Sequence, residues 1–184
     1  MQRDLVLRAA TGDHDAFASL ATDAYGRLHR TAQLILRRED LASDAVQEAL
    51  ISAWLHIRAV RDPDRFDAWL NRLVVRACYQ ELRRAKRGPI EIYADTIVGP
   101  GVEDSTGSLA DRDQLERGFQ RLSAEHRAVL VVHHYLGLAD AEAAAVLDVP
   151  MGTYKSRLNL AHLALRAALE ADARVAGIGQ ESLA

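Results

Sequence analysis

Cysteine is all but missing from this chain of 184 residues: Cys78 stands alone, which excludes an internal disulfide framework and argues against a cysteine-based zinc site. A reducing cytoplasm is the expected setting, with Cys78 inert and buried. Aromatic residues make up only 5% of the chain, and Lys86 and Lys155 are the only lysines among 23 basic residues, so arginine carries almost all the positive charge. No run of about 18 apolar residues is present that could cross a bilayer. The opening segment MQRDLVLRAATGDHDAF lacks the continuous apolar core of a secretion signal. Strand-like alternation and internal repeats are also absent. There is no glycine-rich phosphate loop, nucleophile elbow or paired set of catalytic carboxylates, so neither catalysis nor a cofactor is expected. Seven histidines invite a metal reading, with His133 and His134 the obvious pair. Neighbouring helical side chains point about 100° apart, however, and no other His or Cys stands at ligand spacing, so no metal site is expected.

What remains is a polar, helix-patterned chain, 49% hydrophobic, long enough to bury about 70% of its unfolded surface as one ordinary domain or two small ones. Its formal net charge of −3 speaks against nucleic acid at first sight. Divided along the chain, the charge says otherwise. Residues 71–88 hold Arg72, Arg76, Arg83, Arg84, Lys86 and Arg87 against Glu81, a local sum of +5. Residues 89–125 set eight acids against Arg112, Arg117 and Arg121, a sum of −5. Residues 150–166 carry Lys155, Arg157 and Arg166 with no acid. Two basic segments thus flank an acidic one, a pattern that concerns partners and not fold.

Glycine and proline concentrate between residues 88 and 107, where Gly88, Pro89, Gly99, Pro100, Gly101 and Gly107 fall, while both flanks are helical in pattern almost without interruption. This predicts an all-α chain of two small helical domains, 1–87 and 108–172, joined by a flexible linker at 88–107, with a fraying tail at 173–184. In the first domain Asp62, Pro63 and Asp64 announce the start of a long helix. Phe66, Leu70, Leu73 and Ala77, with Trp69 beside them, form its expected core stripe. On another face Arg72, Arg76, Arg83 and Arg87 form a row nearly free of acids, as suits a phosphate backbone lying along the helix. In the preceding helix, about 40–57, Val46, Leu50, Ala53 and Ile57 are the expected core. Ile51 and Leu55 lie elsewhere with Asp44, Gln47 and Glu48. That is either a docking patch for a basic protein surface or a face covered by the helix near 17–37, and spacing does not decide between them.

The second domain resolves into helices near 108–121, 123–136, 139–147 and 151–170, with Ser123 as a cap and Gly137 as a stop. Only Asp148, Val149 and Pro150 separate the last two, the layout of a helix-turn-helix, although a plain helical hairpin would share it. With Tyr154, Leu158, Ala161 and Leu165 facing inward, Thr153, Lys155, Ser156, Arg157 and Asn159 face outward near the start of the last helix, where a recognition helix presents hydrogen-bonding groups to base edges and phosphates.

Asp44–Trp54 (DAVQEALISAW), then Phe66–Leu70 (FDAWL) and an arginine-rich helix end, resemble the second conserved region of bacterial sigma factors. His126–Leu130 (HRAVL), Gly137–Glu142 (GLADAE) and Val149–Leu158 (VPMGTYKSRL) resemble the fourth. The chain is thereby similar, over about 13–172, to the extracytoplasmic-function sigma factors, short members with only these two regions. The resemblance implies a dissociable, cytoplasmic subunit that binds core RNA polymerase, recognises a promoter and helps open it, without itself catalysing a reaction. Asp44, Gln47, Glu48, Ile51 and Leu55 would meet the clamp helices of the largest polymerase subunit, and the second domain would meet the flap. Arg58, Arg61 and Arg65, in a loop that would capture a flipped base, would engage the minus-ten element together with Trp69, Arg72, Arg76, Arg83, Arg84 and Arg87. Thr153, Lys155, Ser156, Arg157 and Asn159 would enter the major groove at the minus-thirty-five element. The acidic linker would follow a basic channel of the polymerase, and an anti-sigma factor is a further expected partner. The alternatives are a stand-alone helix-turn-helix regulator and a helical adaptor protein. Several positions depart from the family pattern: Arg76 stands where Asn is usual, Gln80 for Asp, Ala139 for a capping Ser, Ala143 for Ile, Asp148 for Gly, and Leu160 and His162 where Arg is frequent.

Overall fold

A computed structural model describes residues 1–87 and 109–181, with side chains described over 1–84 and 113–172. Among the described residues there are eight α-helices and no strand. The chain divides into two compact units, Met1–Ile97 and Val98–Ala184. The division falls within 88–107, the expected linker, which lies outside the described residues.

The first unit begins with a helix the sequence reading did not assign, α1 (Gln2–Ala10), whose Val6 and Ala9 are buried. Gly12, at φ +100°, turns the chain into α2 (His14–Leu36). The Asp13 carboxylate caps α2 by accepting from the Ala16 N–H at 3.0 Å. α3 (Glu39–His56) follows after Arg37, which stands in the left-handed region at φ 57°. Its buried face is Ala42, Ala45, Val46, Ala49 and Ala53, continued by Ile57 in a 3₁₀ turn at Ile57–Ala59. Small side chains at i, i+3, i+7 and i+11 let α2 and α4 approach the α3 backbone closely. Leu50, expected in the core, is therefore only half-buried.

Asp62 accepts from the Asp64 N–H at 3.1 Å, with Pro63 buried at the first position, but the turn they start is 3₁₀ (Pro63–Arg65). α4 proper spans Phe66–Arg87. Its buried face includes Phe66, Leu70, Val74, Ala77 and Cys78, so Val74 takes the place expected for Leu73, which is half-buried. The repeat at i+4 follows the contact line along α3.

The second unit consists of α5 (Leu109–Gln120), α6 (Ala124–Leu130), α7 (Asp140–Val146) and α8 (Met151–Glu181). Ser123 caps α6 by accepting from the His126 N–H at 3.3 Å. Beyond Leu130 the helix widens into a π-helical segment, Val131–Tyr135, where a continuous α-helix was expected. It closes with Leu136 N–H donating to the Val131 carbonyl at 2.9 Å, and Gly137 ends it at φ +62°. α5 is fastened to α8 twice. A Cβ on Gly118 would stand 2.8 Å from Leu169 Cδ2, so a larger residue there requires the Leu169 side chain to shift. The buried Asp172 carboxylate pairs with Arg117 at 3.3 Å and with Arg121. α8 continues to Glu181, past Ala173, where a fraying tail was expected. Gly177 and Gly179 cost a helix only about 1 kcal/mol each relative to Ala, and an Ala-rich run precedes them.

Two consequences are measurable. The α7 N-cap, Ala139, has extended backbone (φ −62°, ψ 149°) and no capping side chain. Ala139→Ser is expected to stabilise the C-terminal unit by about 1 kcal/mol, seen as a higher urea midpoint at unchanged slope. Cys78 is fully buried, and burial pushes its thiol up to about 12. Alkylation at pH 8 is expected to be negligible in the native protein and complete in denaturant.

Candidate nucleic-acid interface

The outer face of α3 follows from its inner one. With alanines seated against α2 and α4, the larger apolar side chains lie on the opposite side: Ile51 is 54% exposed and Leu55 67%. Asp44 and Gln47 are exposed beside them and Glu48 is half-buried. α2 does not cover the patch, which closes the question that spacing left open. The Glu48 carboxylate lies 3.4 Å from the Arg84 guanidinium of α4, which also pairs with Glu81. Both contacts hold Arg84 firmly charged, the Glu81 hydrogen bond being the larger influence.

Arg84 was expected among the residues that engage the minus-ten element; the fold turns it toward two carboxylates. Along the arginine row Arg72 is half-buried, and Arg76 and Arg83 are exposed. Arg83 sits over the Tyr79 ring at 5.8 Å from its centroid, a contact that fixes its direction. The side chain of Arg87 lies outside the described side chains. Arg58, Arg61 and Arg65 are all exposed on the segment between α3 and α4. Arg65 approaches Asp62 at 3.6 Å. A Cβ on Gly12 would stand 3.9 Å from an Arg58 terminal nitrogen. Arg3 of α1 holds Asp64 at 2.6 Å, so the unassigned helix flanks this basic loop. Trp69 is half-buried against Phe66, with ring centroids 5.9 Å apart, which anchors it at the base of the loop.

In the second unit, α7, a tight turn and α8 form the helix-turn-helix. Asp148 occupies the left-handed region at φ 53°, which Asp visits more readily than most residues. The Val149 N–H donates back to the Ala144 carbonyl at 3.1 Å. Tyr154 and Ala161 are fully buried and set the rotation of α8, with Leu158 and Leu165 half-buried beside them. Lys155, Ser156 and Asn159 are left exposed, and Thr153 and Arg157 half-buried. The Tyr154 hydroxyl lies 3.1 Å from His133 Nδ1, which is itself 3.7 Å from Asp140. Burial raises the Tyr154 pKa, with Asp140 adding to it.

Sequence spacing missed one arrangement altogether. His162 of α8, 28 residues on in the chain, meets His134 of the π-helical segment with their Nε2 atoms 2.8 Å apart. Burial lowers the His134 pKa, and the neighbouring His133 and His162 lower it further. Among the described residues no group of three or more His, Cys, Asp or Glu is arranged to hold a metal.

Comparison with known proteins identifies the family. The Sigma-70 region 2 family matches residues 20–88. The chain is similar to the ECF RNA polymerase sigma factor SigM of Mycobacterium tuberculosis, with 36% identity covering 84% of this chain and 77% of that protein. It is also similar to SigW of Bacillus subtilis, with 26% identity over 90% of this chain and 95% of the relative. The structure of CnrH in complex with the cytosolic domain of CnrY superposes with a TM-score of 0.58 at 27% identity, covering 93% of this chain and 98% of that one. For the fold alone, the sigma factor RpoE bound to the anti-sigma factor NepR, from Bartonella quintana, gives a TM-score of 0.63 at 23% identity, covering 85% of this chain and 98% of that one. The chain belongs to the ECF family of RNA polymerase sigma factors.

Proposed function

We propose that this sigma factor docks on core RNA polymerase through the outer face of α3 and engages promoter DNA with the basic loop and arginine row of the first unit and with α8 of the second. The carrying observation is the exposed Ile51 and Leu55 pair within an acid and amide rim. An apolar centre in a polar rim is the anatomy of a protein interface, and the acidic rim selects a basic partner helix pair. Arg58, Arg61 and Arg65 surround the loop expected to hold a base of the melted minus-ten strand, with Trp69 as an aromatic platform at its base. Arg72, Arg76 and Arg83 follow the backbone there. Arg84 contributes to the junction with α3 through Glu48. Thr153, Lys155, Ser156, Arg157 and Asn159 read the minus-thirty-five element from the major groove.

Every role in this reading is one of binding, and none requires a catalytic group or cofactor in this chain. Promoter opening is driven by capturing unstacked bases, with the polymerase supplying the chemistry. The setting is the bacterial cytoplasm, and no helix of the described residues is long and apolar enough to cross a membrane. The related CnrH and RpoE each form a complex, with the cytosolic domain of CnrY and with the anti-sigma factor NepR. A corresponding inhibitor is proposed for this chain, acting by covering the exposed faces of α3 and α8.

Glu48→Lys combined with Ile51→Glu reverses the rim charge and places a carboxylate at the apolar centre. Co-purification with core enzyme is expected to fall by roughly a hundredfold or more, in line with loss of a central interface contact, while the melting curve of the free chain stays near wild type. Retained binding would remove α3 as the docking face. Lys155→Glu with Arg157→Glu is expected to weaken duplex minus-thirty-five binding by the holoenzyme and to flatten its salt dependence by roughly one unit of slope for each lost phosphate contact. An unchanged salt slope would place α8 away from DNA.

A further inference from the structure

Taken alone, the loop between α3 and α4 carries no net charge with which to attract a phosphate backbone. Over residues 57–67, Arg58, Arg61 and Arg65 are matched by Asp62, Asp64 and Asp67. The fold answers two of these carboxylates from outside the loop. Arg3 of α1 meets Asp64 at 2.6 Å, and Arg27 of α2 meets Asp67 at 2.6 Å. The third, Asp62, is used within the loop, where it accepts from the Asp64 N–H at 3.1 Å and approaches Arg65 at 3.6 Å. Arg58 and Arg61, both exposed, then set the local field.

The helix that supplies Arg3 also lies under the loop. α1 packs against α2 and against both 3₁₀ turns, Ile57–Ala59 and Pro63–Arg65. Val6 and Ala9 are the residues it buries, and Ile57 and Pro63 are the buried residues of the turns. Its nine residues span about 14 Å. At its start Arg3 reaches Asp64 in the second turn; just past its end, Gly12 lies beside Arg58 in the first, where a Cβ would stand 3.9 Å from an Arg58 terminal nitrogen. This corner is itself fastened. The Asp13 carboxylate accepts from the Arg8 guanidinium at 2.7 and 2.9 Å and from the Ala16 N–H at 3.0 Å, which ties the end of α1 to the start of α2.

We infer that α1 braces the loop for strand capture, with Arg3 as the positioning residue: it holds the Asp64 carboxylate, and through it the Pro63–Arg65 turn, in the arrangement that receives an unstacked base. This rests on the reading of the loop as the holder of a melted minus-ten base. Capture of a flipped base is tighter when the receiving loop is already in place, because binding then bears less of the ordering cost. Both partners are exposed, Arg3 61% and Asp64 65%, so the pair adds little to the stability of the free chain. Its consequence lies in where the loop is held, which base discrimination reports.

The test uses holoenzyme assembled from core polymerase and the full chain, binding two fluorescent single strands of equal length and composition. One is the non-template minus-ten strand of a promoter found by run-off transcription, and the other is its scrambled version. The ratio of the two affinities is the readout, because a general change of charge moves both strands alike while a displaced loop weakens only the first. Arg3→Asp and Asp64→Arg are each expected to lower the ratio by about threefold, as suits the loss of one exposed ion pair. The double variant, which restores the pair with its charges exchanged, is expected to recover most of the wild-type ratio. Core binding and the melting curve of the free chain stay near wild type in all three. If Arg3→Asp weakens both strands equally and the double variant does not recover, Arg3 is a phosphate contact and the brace is overturned. If Arg3→Asp leaves the ratio unmoved while Arg58→Ala with Arg61→Ala weakens the minus-ten strand, the brace is overturned and the reading of the loop stands. If that pair of alanine substitutions leaves both affinities unchanged, the loop reading fails and the brace with it.

Discussion

The close seating of α3 between α2 and α4 is the constraint on which the first unit depends. Ala42, Ala45, Ala49 and Ala53 present almost no side chain to their neighbours, so three helices meet at short range around Leu28, Ile35, Phe66 and Leu70. A helix that spends its buried face on alanine has nowhere inside for its larger apolar residues. Ile51 and Leu55 are driven outward, where water penalises them until a partner covers them. Packing thus dictates both the core and the exposed apolar face proposed for docking, and the loop between α3 and α4 emerges at a defined place because both of its ends are anchored, by Ile57 and by Phe66.

The second unit solves a similar problem with one large side chain. Tyr154, the largest fully buried side chain described, fixes the rotation of α8, and its hydroxyl reaches His133 instead of being left unpaired. Once that angle is set, Lys155, Ser156 and Asn159 must face solvent. Electrostatics is layered on the packing in both units. The net charge of −3 conceals basic segments that the fold displays on exposed faces, while several acids are used locally. Asp13 caps α2, Asp172 ties α5 to α8, and Glu48 and Glu81 hold Arg84. The contact between Glu48 and Arg84 joins α3 to α4 beside the face proposed for docking.

Much of this was legible in the residues because the signals are local. Ser123 as a cap and Gly137 as a stop are each decided by one residue's backbone chemistry, and both stand as expected. The helix positions follow from periodicity, which is also local. What the sequence concealed depends on neighbours. The burial stripe of α3 could not be read from hydrophobicity, because alanine scores weakly and the stronger residues, Ile51 and Leu55, are outside. Leu73 and Val74 are adjacent and equally apolar, so only the helix packed against them selects Val74 for the core. Arg84 is indistinguishable from Arg83 in the chain, yet one meets carboxylates and the other a tyrosine ring. The π-helical widening at Val131 has no composition signature. The pairing of His134 with His162 joins residues far apart in sequence and exists only once α8 is packed.

The central claim is that this chain directs core RNA polymerase to promoters through two DNA-facing surfaces and one docking face. Run-off transcription with purified core polymerase, the full chain and a library of genomic promoter fragments tests it most directly. The account predicts transcripts that begin at discrete promoters and require the chain, with little specific DNA binding by the chain alone. No chain-dependent transcript, or specific binding of duplex promoter DNA without polymerase, would contradict it.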